Sequence, residues 1–110
     1  MNVCFEYLYR DAGNFKLWGE VVFANKEGLD IDEIESKIRN SLIDGEYFYA
    51  SKIGVPVLRF EKLVPAMDHD WHEFVGVAES TNDVTDQANR DVCELLRTFE
   101  KMYSPTKSAA

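Results

Sequence analysis

With 110 residues, 45% of them hydrophobic and 13% aromatic, the chain is of single-domain size and can bury one core. A net charge of −8 and a pI near 4.7 give a surface that repels phosphate backbones, which disfavours direct nucleic-acid binding. No apolar run approaches the ~20 residues that span a bilayer, and Met1 to Glu6 lacks the basic-then-apolar order of an export signal. No membrane association and a cytoplasmic location are therefore expected.

The charge is uneven. Between Glu27 and Glu46 seven acids face two bases, and between Asp68 and Asp91 seven acids face Arg90 alone. That distribution permits a basic partner, although acidic surface also serves solubility. Cys4 and Cys93 belong to no C-x-x-C or metal-ligand spacing and read as small core residues of a reducing compartment.

In chain order, Val3, Phe5, Tyr7 and Tyr9 alternate with Cys4, Glu6, Leu8 and Arg10, the period-two signature of a strand with one apolar face. Phe15, Leu17, Val21 and Phe23 repeat the pattern, with Gly19 marking a bulge or the close approach of another element. An antiparallel hairpin that keeps both odd sets on one face needs opposed residue numbers with an even sum. A sum of 24 opposes Tyr9 to Phe15 and Tyr7 to Leu17 and leaves a five-residue loop, Arg10 to Asn14. Gly13 and Asn14 readily take positive φ and Asp11 can bond its own backbone, so the loop has turn chemistry.

Ile31, Ile34, Ile38 and Leu42 recur at helical spacing, which predicts a helix from about Asp32 to Asp44, with Asp30 as N-cap, Glu33 as its capping-box partner and Gly45 as a stop. Glu46 to Ala50 suits a third strand with Tyr47 and Tyr49 on one face. Ser51 to Asp70 is unassigned beyond the punctuation of Gly54-Val55-Pro56, with Val57 to Phe60 read as a short strand or irregular chain. His72 to Ala78 reads as a strand. Ala88, Val92, Leu95, Phe99 and Met102 mark an amphipathic C-terminal helix, and Ser104 to Ala110 a disordered tail. The expected fold is a single α+β domain over residues 1–103. It is a two-layer sandwich whose mainly antiparallel sheet carries an N-terminal β-hairpin and two helices packed on one face.

Asp68-His69-Asp70-Trp71-His72-Glu73 concentrates ligand-type side chains and holds both histidines. On a helix His69 and His72 would share a face and could bind a divalent metal with Asp68, Asp70 and Glu73. At the entry to a strand they would point to opposite faces. The hairpin's other face mixes Leu8, Trp18 and Val22 with Glu6, Lys16 and Glu20, a mixture typical of protein contact patches.

Three segments, Tyr9 to Lys16, Gly45 to Phe48 with Gly54-Val55-Pro56, and His69 to Phe74, resemble a scattered group of small uncharacterised bacterial proteins over most of the chain up to about Val77. The resemblance implies a bacterial, cytoplasmic, single-domain protein and brings no activity, cofactor or catalytic residue with it.

The leading expectation is a non-catalytic protein-protein interaction module that self-associates or binds another protein, without a cofactor. One version is an acidic inhibitor of a basic partner. Its binding residues are Trp18, Leu8 and Tyr47, with Arg10, Asp11 and Asn14 of the hairpin loop. The competing expectation is a metal-binding protein or metal-dependent enzyme centred on His69 and His72.

Overall fold

A computed structural model describes residues 1–11, 13–59 and 71–103. The elements run β1 (Asn2–Arg10), β2 (Lys16–Phe23), α1 (Ile31–Ser41), β3 (Tyr47–Tyr49), α2 (Ala50–Ile53), β4 (Trp71–Ser80) and α3 (Val92–Tyr103). Every strand pairing is antiparallel, and the four strands lie in the order β2-β1-β4-β3. The α+β expectation holds, with one addition: α2 is a single turn that ends at Gly54, whose φ of 84° closes it in the left-handed conformation. The predicted tail and the segment before Trp71, which includes Phe60, lie outside the described residues. Among the described residues no helix is long and apolar enough to cross a membrane.

The odd residues of β1 and β2 face the helices. Val3, Phe5, Tyr7, Val21 and Phe23 share one core with Ile34 and Ile38 of α1, Ile53 of α2 and Val92, Leu95 and Phe99 of α3. Phe5 sits at its centre, fully buried, with the rings of Tyr7, Phe23, Phe48, Phe74 and Phe99 at 5.3–6.3 Å.

The hairpin register differs from the expected one. Opposed numbers sum to 26, so Tyr9 meets Leu17, Tyr7 meets Gly19 and Phe5 meets Val21. A slide of two residues keeps every side chain on its predicted face, which is why the apolar pattern could not choose between the two registers. Two local features favour 26. Tyr7 lies against Gly19 so closely that a Cβ there would stand 3.0 Å from the ring, with Leu58 at 3.1 Å. The loop becomes residues 11–15, closed by Asp11, whose carbonyl accepts from Asn14 N–H and whose carboxylate accepts from Phe15 N–H. Asn14 takes the left-handed conformation at φ 66°. Phe15, expected on the strand, is in that loop and exposed.

The capping box also lies elsewhere. Asp30 precedes α1 with no side-chain capping bond. Asp91 instead caps α3: its carboxylate accepts from Cys93 N–H at 3.0 Å and from Lys26 N–H at 2.8 Å, while Glu94 accepts from Asp91 N–H at 3.3 Å. Burial opposes ionisation of Asp91, but these N–H donors outweigh it and hold its carboxyl below the usual range.

Candidate interaction site

The sheet has one face covered by helices and one turned away from them, and the even residues of β1 and β2 occupy the second. Register places Trp18 beside Leu8, Leu8 beside Glu73 and Glu73 beside Tyr47, a single lateral row across all four strands. The adjacent positions carry Lys16 and Arg10 on the hairpin and Trp71 and Tyr49 on β4 and β3. Residues separated by up to sixty-five positions thus share one surface, because β4 inserts between β1 and β3.

Within this surface Arg10 is held from two sides. Its Nε and Nη2 donate to the Glu73 carboxylate at 2.8 and 3.3 Å, and Nη1 donates to Asn14 Oδ1 in the loop. Trp71 packs between Tyr47 and Tyr49, with ring centroids at 5.5 and 5.9 Å, and its indole N–H donates to the Tyr49 hydroxyl. The Glu46 carboxylate beside Tyr47 pushes its phenol up. Arg10, Tyr47, Trp71 and Glu73 line an open hollow of about 520 Å³. Trp18 is 63% exposed and Trp71 37%.

The six binding residues expected from sequence therefore do gather at one end of this face, Asp11 and Asn14 through the loop that clasps Arg10. Two apolar residues expected on the open face of the hairpin, one of them outside those six, are less open than expected. Leu8 is buried, with Trp18 opposite it on one side and Glu73 on the other. Val22 is buried because the returning chain bonds to it: its N–H donates to the Thr85 hydroxyl and its carbonyl accepts from Thr85 N–H. Sequence reasoning missed Trp71 and Glu73 as neighbours of the hairpin. The alternation of buried His72 and Phe74 with Trp71 and Glu73 was the available signal.

The metal reading fares differently. Asp68, His69 and Asp70 lie outside the described residues. His72 is on the helix side of the sheet, 1% exposed, packed against the rings of Tyr7, Tyr9 and Phe48, and its Nε2 accepts the Leu58 N–H at 3.0 Å. That lone pair is engaged, and Glu73 points to the opposite face toward Arg10. His72 and Glu73 therefore do not converge on one site.

The described residues do bring Glu27, Asp91 and Cys93 together, with ligand atoms within 4.8 Å. Their bonds explain the cluster without an ion: both Asp91 oxygens accept backbone N–H groups, and the Cys93 thiol donates to Glu27 at 3.0 Å. The bond to Glu27, with burial, pushes the Cys93 thiol up to about 12. Burial, with the bond to Glu20, raises Cys4 to about 11. Since the thiolate is the reactive form, both cysteines are expected to alkylate with iodoacetamide at pH 8 at least about tenfold slower than a free thiol. Glu27→Gln should speed Cys93 alone. Wild-type rates equal to free cysteine would contradict the hydrogen-bonded geometry.

Comparison with family models, with curated proteins and with solved structures finds no match.

Proposed function

We propose that the protein is a non-catalytic interaction module whose contact surface is the face of the sheet turned away from the described helices, anchored by Trp18, Trp71, Tyr47 and Tyr49 around the Arg10–Glu73 pair. The observation that carries the reading is the lateral row Trp18–Leu8–Glu73–Tyr47, which joins aromatics of distant segments into one surface with both tryptophans reaching solvent. Tyrosine, tryptophan and arginine are the side chains that most often dominate binding energy. Charge has the smaller part. Glu73, Asp86 and Asp91 in the second acidic window already bond within the chain, and Glu33 and Glu35 of α1 pair with Lys37 and Arg39. An acidic partner-mimicking surface is thus a weaker anchor than the aromatic row, although it would speed encounter with a basic protein.

The test is photo-crosslinking in the native host, with p-benzoylphenylalanine in place of Tyr49 on the proposed face or of exposed Ser36 on α1. Discrete protein adducts from position 49 and none from position 36 are expected. Adducts from the helix position alone would move the contact surface to the other side of the molecule.

A further inference from the structure

The contact reading leaves open which chain lies against the hairpin, and the edge of β2 supplies an answer. In an antiparallel ladder, alternate residues turn their N–H and C=O toward one neighbour and then the other. Val22 and Ala24 turn theirs away from β1: Val22 bonds to Thr85, and Ala24 bonds to Arg90 and Val92. The register of the β1–β2 pair is unbroken, so the even residues Lys16, Trp18 and Glu20 turn their backbone groups the same way. Among the described residues nothing pairs with this stretch, and all three side chains are exposed. Among the described residues the edge from Lys16 to Glu20 is unpaired, bounded at Val22 by the chain's own return.

Charged residues usually guard such an edge against pairing. Here their spacing does the opposite for one partner. When two copies of β2 pair antiparallel about a two-fold axis, the axis residue faces itself, and residues two before and two after it face each other. An axis at Lys16 opposes two lysines, and an axis at Glu20 opposes two glutamates. An axis at Trp18 sets Lys16 of each copy against Glu20 of the other, with the two indoles side by side, and it uses the whole free stretch without reaching Val22. On the helix side, Leu17 then meets Gly19, a position without a side chain.

We infer that the second copy of this chain is the occupant of the β2 edge, in an antiparallel two-fold pairing centred on Trp18 that joins two four-stranded sheets into one. The inference rests on the contact reading above and names one partner for it. The joined sheet carries both aromatic faces on the same side, so dimerisation doubles the surface offered to a further protein. Cross-strand opposite charges stabilise such a ladder and like charges destabilise it, and the symmetry counts each pair twice.

Native mass spectrometry and sedimentation of the full chain test this through charge exchange. Wild-type protein is expected to show a metal-free dimer whose population rises with concentration. Lys16→Glu and Glu20→Lys should each weaken it by at least about tenfold, because each places like charges opposite one another at both pairs. Mixing the two variants should give a heterodimer, and the double exchange should restore the homodimer, recoveries that require both variants to be folded. A wild-type chain still monomeric at ~0.5 mM, where any Kd below the millimolar range would show, overturns the proposal. So does a dimer that both single variants retain, or a loss that neither mixing nor the double exchange repairs. The crosslink from position 49 lies on β3 at the opposite edge of the sheet, so its result judges the contact face independently of this edge.

Discussion

Phe5→Ala is expected to lower stability by about 3–5 kcal/mol, the range for deleting a buried aromatic ring. Against the ~5–15 kcal/mol that typically separates folded from unfolded domains, that is a large share. The site cannot collapse easily: Phe5 is fully buried on a central strand, and its five ring neighbours come from β1, β2, β3, β4 and α3. Two of them, Phe48 and Phe99, also contact each other at 5.9 Å, so movement of one into the void disturbs the other. The outcome is read in urea unfolding followed by circular dichroism, as a lower midpoint with little change in slope. A loss under about 1 kcal/mol would show that the layers can close over a missing ring, against close packing around it.

The second large effect belongs to Asp86. Its carboxylate is almost wholly buried and takes three bonds from Arg90: the backbone N–H at 2.9 Å, Nε at 2.9 Å and Nη2 at 3.0 Å. The same guanidinium donates to the carbonyls of Ile53 and Gly54 and lies 5.3 Å from the centre of the Phe23 ring. Asp86 N–H in turn donates to the Val22 carbonyl. One pair therefore ties the end of α2 and the chain before α3 to β2. Removing one partner of a buried ion pair strands the other, so Asp86→Ala is expected to cost about 3–5 kcal/mol. The pH dependence gives the same account a sign. Burial raises the Asp86 pKa, but the bonds from Arg90 outweigh it and leave it below the ordinary 3.8. A carboxyl depressed on folding contributes its stability fully above the unfolded value, and that contribution is lost as pH falls through the lower folded value. Wild-type stability should thus decline below about pH 4, and Asp86→Asn should decline less steeply because it has no proton to gain there. Equal acid limbs in the two proteins would remove Asp86 from this role.

The parts of the fold that depend on near neighbours were legible in the chain. Alternation from Val3 to Tyr9 and the Ile31, Ile34, Ile38 stripe each identify a buried face from a few residues. What was not legible depended on contacts between distant segments. Registers 24 and 26 satisfy the same faces, and only the fit of Tyr7 against Gly19 and the loop bonds of Asp11 distinguish them. Asp30 with Glu33 and Asp91 with Glu94 have the same capping-box spacing, yet Asp91 is the one whose side chain caps, and it is also tied to Lys26 at the exit of β2. The candidate surface followed the same division. Trp18, Leu8 and Arg10 could be placed together from the hairpin alone, whereas the neighbours Tyr47, Trp71 and Glu73 depend on β4 lying between β1 and β3. Glu73 was read as a potential metal ligand because its sequence neighbours are histidines; across the sheet its neighbour is Arg10.

Residue-resolved amide hydrogen exchange of the purified protein at low and high concentration tests most directly whether β2 is the meeting point with another chain. In dilute solution the amides of Trp18 and Glu20 should exchange quickly, since they turn away from β1, while those of Leu17 and Gly19 are protected by the hairpin. At high concentration Trp18 and Glu20 should become protected and the surfaces of α1 and α3 should not change. Protection that appears on the helices instead, or Trp18 and Glu20 amides equally open at every concentration, would contradict it.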